Sequence, residues 1–357
     1  MMLGETVLVV GGGVMGLSIA LALQGRGLSV RVLTRSLQDG ASWAAAGMLA
    51  PQAEGLSAGT LLDLCLKSRD LYPQWIHTLE AIAGQSAGYW SSGIIAPVFT
   101  NQSQASQDLG HPPETWLDAQ SVHALQPHLS SDVQGGWWFP KDAQVDNRQL
   151  YLALQAAAIA QGIVIQTATV TEFRRSGDRI TTLMTTAGEI QSQHYVLATG
   201  AWSQSLLPIP VNPRKGQMLS VRMPQELPLK TVLFGAEIYL VPRQDGRLII
   251  GATSEDVGFV SGTTPAGLLQ LLLGATRLVP EIAQWPIEEV WMGYRPVTPD
   301  EGPILGESAY QNLTYATGHG RNGILLAPIT GELIADWIAI QKPDPMLEAF
   351  HWSRLSP

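Results

Sequence analysis

The sequence predicts a doubly wound α/β fold joined to a second, largely antiparallel sheet. Three observations predict it. Gly11, Gly13 and Gly16 stand between a β-branched run and an apolar helix-length segment. A strand-helix-strand order covers the first 34 residues, and a late series of short strands is interrupted by one helix. The first of these, "VLVVGGGVMGLSIALAL" (Val7 to Leu23), has GxGxxG spacing at a strand-turn-helix junction. A dinucleotide pyrophosphate needs close backbone approach and helix N–H groups facing it, and side chains at the glycine positions would obstruct both. Taken alone, the spacing suits a ligand-free tight turn equally well.

Strands over 6–10 and 29–34 flank the first helix, and a second helix is predicted near 58–83. The polar stretch "TNQSQASQDLGHPPE" (Thr100 to Glu114) reads as a surface loop able to cover a site. "NRQLYLALQAAAIAQG" (Asn147 to Gly162) reads as a helix ended by glycine. "IVIQTATVTEFRR" and "RITTLMTTAGEIQSQHYVLATG" then read as strands turning at Gly177 and Gly188. "RKGQMLSVRM", "EIYLVPR" and "RLIIGAT" read as strands of the second sheet, with "PAGLLQLLLGATRLVP" as its helix, and a final helix is expected from near Ile324.

At 357 residues and 45% hydrophobic content, the chain can bury a large core and fits about two domains. A net charge of −9 disfavours nucleic acid as a partner. Glu5 and the triple glycine argue against a secretory signal. The run "GILLAPITGELIADWIAI" carries Pro328, Glu332 and Asp336, which a lipid-exposed span tolerates poorly. The expectation is a cytoplasmic protein with no membrane span. Cys65 is the only cysteine, so no intrachain disulfide or multi-cysteine metal site forms, and no metal is expected. Its helical, apolar setting points to core packing.

Five segments occur in one family's order: "GGGVMG", "SWAAAGMLAP" (Ser42 to Pro51), "ATGAWS" (Ala198 to Ser203), "WMGYRP" (Trp291 to Pro296) and "GHGRNGILLAPITG" (Gly318 to Gly331). Over nearly its whole length the chain resembles the D-amino-acid oxidase family of FAD-dependent oxidoreductases, most closely its glycine-oxidising members in thiamine biosynthesis. The resemblance implies a Rossmann-like FAD-binding domain of glutathione-reductase type 2 (1–82, 141–212 and 298–357). It further implies an inserted α+β substrate domain (83–140 and 213–297) built on a mostly antiparallel sheet. FAD contacts are implied for Gly11, Gly13, Val14, Met15, Gly16, Thr34, Arg35, Ala41, Ser42, Ala46, Gly47, Met48, Val170, Gly200, His319, Gly320, Arg321, Asn322, Gly323, Ile324 and Leu325. In the sarcosine oxidases, which are related, a cysteine near the C-terminal flavin segment attaches the cofactor. No cysteine follows Cys65, so FAD is expected to be noncovalent.

The small side chains of Ala45, Ala46 and Gly47 would admit a flat ring, and the glycines at 318, 320 and 323 would let a helix N-terminus and Arg321 stabilise negative charge on reduced flavin. By the same resemblance, Arg295 clamps a substrate carboxylate bidentately while the Tyr239 phenol adds a directional donor. Arg295, Tyr239 and Arg321 are thus the implied catalytic set. The implied reaction passes hydride from Cα of a small amino acid (glycine, sarcosine or a small D-amino acid) to flavin N5. The imine hydrolyses to a 2-oxo acid and ammonia, and dioxygen reoxidises the flavin with formation of hydrogen peroxide. A site of arginines and a tyrosine needs no side-chain base if the amine binds neutral.

Two residues depart from the family pattern. Thr34 replaces the usual ribose-binding acid and Arg35 follows it, a pairing that ordinarily suggests a 2′-phosphate and keeps NADP open. Glu237 is expected on the Tyr239 face of a strand, either at the site entrance or as a solvated carboxylate. A dehydrogenase with a non-oxygen acceptor and a non-catalytic FAD- or NADP-binding protein are the alternative functions. A homo-oligomer is compatible with the sequence.

Overall fold

The computed structural model describes residues 6–99, 115–226, 228–235, 237–341 and 343–355. The loop expected over Thr100 to Glu114 lies outside the described residues. A six-stranded sheet runs, from edge to edge, Ile304–Glu307, Leu313–Thr317, His194–Leu197, Thr6–Val10, Ser29–Thr34 and Val164–Thr167. Every pairing is parallel except the antiparallel one at the Ile304–Glu307 edge. The strand Thr6–Val10 is a nearly continuous run of Val and Leu because helices cover both faces of such a sheet. Helices Val14–Gly25, Thr60–Ala83, Asn147–Ala160 and Ala327–Ile340 pack into one core with it, and Cys65 is fully buried there.

The second sheet has eight strands. Ile287–Val297 and Asn212–Arg222 are followed by Arg247–Gly251, Tyr239–Pro242, Val232–Phe234, Ile94–Phe99, Val133–Phe139 and Thr115–Asp118. All neighbours are antiparallel except Val232–Phe234 beside Ile94–Phe99. The helix Pro265–Leu278 covers one face through Leu271, Ala275 and Leu278. The parallel sheet draws its strands from 6–34, 164–197 and 304–317, so the antiparallel sheet is inserted between segments of it. Among the described residues no helix is long and apolar enough to cross a membrane.

Two elements differ from the sequence reading. "IVIQTATVTEFRR" is two strands, Val164–Thr167 and Val170–Ser176, the second in a separate three-stranded antiparallel sheet. The chain breaks where Ala168 N–H donates to the Thr34 carbonyl and closes the parallel edge. The last helix begins at Ala327 rather than near Ile324, with Pro328 in its first turn, where its missing N–H leaves no helical bond unmade, and a 3-10 turn, Gly320–Asn322, precedes it.

The first glycine turn is dictated by space. A Cβ on Gly16 would lie 1.8 Å from the Gly11 carbonyl oxygen. One on Gly11, whose φ is +116°, would lie 2.2 Å from the carbonyl oxygen of Ala198. Gly16→Ala is therefore expected to lower unfolding stability by more than about 3 kcal/mol and to release bound FAD. Denaturant midpoint and retained flavin absorbance check both.

Candidate active site

The GxGxxG turn opens on a cavity of about 1000 Å³ that continues to Tyr239 and Arg295 on the second sheet. This is the upper end of the ~300–1,000 Å³ range of ligand pockets, as a dinucleotide plus a small substrate requires. Every residue of the implied FAD-contact and catalytic sets lines it except two. Gly16 packs behind the turn against Gly11, and Leu325 is buried with its carbonyl accepting the Ser68 hydroxyl at 2.6 Å. Ser42 joins the two sides of the turn, its Oγ accepting the Val14 N–H at 2.9 Å. Tyr151 steadies the glycines by donating its hydroxyl to the Gly12 carbonyl at 2.8 Å.

Thr34 is 5% exposed, and its hydroxyl donates to the Ser36 carbonyl at 2.7 Å. A Cβ on Gly12 would meet the Thr34 side chain at 2.7 Å, so the threonine fills the space beside the turn. Arg35 lies 4.0 Å over the Trp202 ring and pairs with Asp39 at 3.0 Å. Both residues that left NADP open are thus engaged within the chain.

On the substrate side, glycines make room for functional groups. The Arg295 guanidinium occupies the space over Gly216, where a Cβ would sit 2.7 to 2.9 Å from its atoms, and Nη1 donates to the Thr253 carbonyl at 3.1 Å. The Tyr239 ring takes the corresponding space over Gly251, and Gly293 lets its strand close on Ala44. Trp291 fixes that contact by donating Nε1–H to the Ala44 carbonyl at 2.9 Å. Burial holds the Tyr239 phenol above its ordinary pKa against the pull of Arg295, so it stays a neutral donor.

Arg321 reaches the cavity from the 3-10 turn and is about half exposed. His319 is 3% exposed, with Nε2 at 3.2 Å from the Thr330 hydroxyl, and burial pushes its pKa down to about 3. It is a neutral structural imidazole and supplies no positive charge. Glu237 lines the cavity but is exposed, in a bend before the strand Tyr239–Pro242 rather than on it.

The site also contains a buried carboxyl that the sequence reading did not single out. Glu54 lines the cavity with its side chain 7% exposed, and its Oε2 has no hydrogen-bond partner, standing 3.7 Å from Arg321 Nη1. Asp142 holds the turn that carries it, accepting the N–H groups of Gln52 and Ala53 and pairing with Arg69 at 3.0 Å. Burial pushes Asp142 up to about 6 and Glu54 up to about 7. Glu54 lies three residues past the "SWAAAGMLAP" segment, where one acid among small residues gives no sequence signal.

A family model described as FAD dependent oxidoreductase matches residues 6–337. The chain belongs to the FAD-dependent oxidoreductases. It is 52% identical to the bifunctional protein ThiO/ThiG of Trichormus variabilis over 98% of its own length and 55% of that protein's, so it spans about half of that relative. It is 35% identical to the glycine oxidase of Geobacillus kaustophilus, covering 93% of this chain and 92% of that one. The crystal structure of glycine oxidase from Geobacillus kaustophilus superposes with a TM-score of 0.91 at 34% identity, covering 99% of each chain. Membership of an FAD-dependent family removes the NADP reading. The glycines that leave no room for a Cβ at the turn fit such a dinucleotide.

Two outcomes are expected. Gly216→Ala pushes the Arg295 guanidinium aside and should raise KM for an amino-acid substrate at least about tenfold with FAD retained, read by steady-state kinetics. His319 is neutral when folded but protonates below about 6.5 when unfolded, so its contribution is lost as pH falls from about 6.5 towards 3. His319→Gln should flatten the acid side of the stability profile by up to about 1.4 kcal/mol per pH unit in denaturant titrations.

Proposed function

We propose that this protein oxidatively deaminates glycine, with sarcosine and small D-amino acids as secondary substrates, and passes the electrons to dioxygen. The products are a 2-oxo acid, ammonia and hydrogen peroxide. The observation that carries the reading is Arg295, held over Gly216 beside the neutral Tyr239 phenol in the same cavity as the GxGxxG turn. A guanidinium fork binds a carboxylate in its plane, and a phenol adds a third donor without changing the charge, so Cα of an anchored amino acid has one position.

When bound, FAD supplies a two-electron acceptor. The chain's own groups orient the substrate and screen its charge. Gly11, Gly12 and Gly13 line the turn where a pyrophosphate fits, and the small Ala44, Ala45 and Ala46 with Gly47 leave space for a flat ring. The residues of the noncovalent FAD contact set are proposed as those given above, less Gly16 and Leu325. Likeness to glycine oxidases and to the ThiO/ThiG protein supports glycine as substrate and thiamine biosynthesis, in the cytoplasm, as the setting. Glu237, exposed at the rim, favours substrates with an additional positive group.

The test is anaerobic mixing of the FAD-loaded protein with glycine, followed by admission of air. Bleaching and recovery, with peroxide equal to glyoxylate, are expected, whereas bleaching without recovery would identify a dehydrogenase with another acceptor. Arg295→Lys should lower kcat/KM for glycine about 10²-fold or more, since an ammonium cannot reproduce the fork. A substrate profile of Glu237→Gln that matches the parent's would remove the role given to Glu237.

A further inference from the structure

We propose that Thr253 and Glu255 are positioning residues for the substrate clamp: with Lys215 and Gln217 they pin a bulge whose backbone carbonyl sets the plane of the Arg295 guanidinium. This rests on the reading of Arg295 as the group that holds the substrate carboxylate, and it deepens that reading. The strands Asn212–Arg222 and Arg247–Gly251 keep a regular antiparallel register from Arg222 with Arg247 to Met218 with Gly251. Pairing resumes at an isolated bridge between Lys215 and Glu255. Gly216 and Gln217 on one side therefore face Ala252, Thr253 and Ser254 on the other. One residue too many makes a bulge, a device that re-aims groups beside functional sites. Here the group is the Thr253 carbonyl, which accepts Arg295 Nη1–H at 3.1 Å.

Side chains make the bonds that the extra residue takes out of the ladder. The Gln217 N–H donates to Thr253 Oγ1 at 2.8 Å, and the Thr253 N–H donates to the Gln217 carbonyl at 3.2 Å. The Thr253 hydroxyl in turn donates to Glu255 Oε1, which also accepts Gln217 Nε2–H at 2.7 Å. Gln217 Oε1 accepts the Thr264 N–H at 2.6 Å and so ties the bulge to the N-terminus of the helix Pro265–Leu278. A Cβ on Gly267 would meet the Gln217 amide at 2.6 Å, so that helix closes directly on the network. Glu255 Oε2 stands 3.6 Å from Nζ of Lys215, whose side chain is 1% exposed.

These groups act through Arg295 rather than on the ligand. Arg214, Gly216 and Met218 line the cavity, so Lys215 and Gln217, which alternate with them, lie on the opposite face of the strand. Glu255 borders the cavity, but both of its carboxylate oxygens are engaged within the chain. A buried ammonium is costly to leave unpaired, so Lys215 fixes the carboxylate, and the carboxylate fixes the Thr253 hydroxyl. With that hydroxyl held, the Thr253 carbonyl stays aimed at the guanidinium lying over Gly216. A guanidinium carries its N–H donors in a rigid planar fork, so holding one of them sets the plane in which the others meet a carboxylate.

The test uses the FAD-loaded protein, with glycine as substrate and glycolate, a carboxylate with no amine, as a binding probe read on the flavin spectrum. Thr253→Val keeps the shape of the side chain and removes its hydroxyl. Its Kd for glycolate and its KM for glycine should rise together about tenfold, with kcat lowered less than about threefold, and Thr253→Ser should restore both. In an Arg295→Lys background the same change should weaken glycolate binding by less than about a further twofold, because the group it acts through is gone. Lys215→Met leaves Glu255 partly exposed and solvated. It should raise the glycolate Kd about threefold, and it carries the test where Thr253→Val does not hold FAD. Glycolate binding of parent strength in either FAD-loaded variant, or a Thr253→Val loss that persists in full beside Arg295→Lys, overturns the positioning role alone. An Arg295→Lys protein that binds glycolate and oxidises glycine as the parent does overturns the carboxylate reading and this inference with it.

Discussion

The site depends on one buried cation that ties the second sheet to the segments beside the glycine turn. Arg243 follows the strand Tyr239–Pro242 and is 5% exposed. It donates to the Ala46 carbonyl at 2.6 Å, to Gln144 at 2.9 Å and to Asn147 at 3.3 Å. Asp146 stands 3.7 Å from its Nε, and Asn147 in turn donates to the carbonyls of Ser42 and Trp43. A planar fork thus ties the strand that carries Tyr239 to the small-residue segment beside the glycine turn. A buried charge that lost these partners would be strongly destabilising, so the geometry between the halves of the cavity is held stiffly.

Around that hub, charge is placed by burial more than by proximity. Arg148 lies between the rings of Trp43 and Trp291 and pairs bidentately with Glu289, bracing the strand that leads to Arg295. The Arg69–Asp142 pair is buried under the Glu54 turn. In such surroundings enclosure raises a carboxyl above its ordinary pKa, and the neighbouring guanidinium groups only moderate the result. Cofactor cradle and substrate clamp are therefore built from different chemistry, close-packed backbone on one side and desolvated charge on the other.

This division explains what the sequence made legible. Gly11, Gly13 and Gly16 were readable from their spacing at a strand-turn-helix junction, and at Gly11 and Gly16 backbone contact leaves no room for a side chain. Arg295 and Tyr239 were reached through the family's segment order, since a lone strand arginine or tyrosine carries no such meaning. Glu54, Asp142 and Arg243 escaped because the contacts that define them join residues roughly 73 to 267 positions apart in the chain. Pro328 was a local signal that the apolar run from Ile324 obscured, and it moved the helix start to Ala327. Glu237 was misplaced because alternation was extended past the end of a strand that begins at Tyr239.

Among the glycines in strands of the second sheet, three lie beside the site, where each costs about 0.5–1 kcal/mol relative to alanine in an ordinary setting. At Gly216, Gly251 and Gly293 that ordinary remedy is closed, because the space a methyl would fill is held by Arg295, by Tyr239 and by Ala44. The sheet nearest the chemistry is therefore fixed below the stability its topology could reach. Engineering for heat resistance must act elsewhere, and the exposed Leu269 and Leu273 on the outer helix are positions where the sequence is free to change.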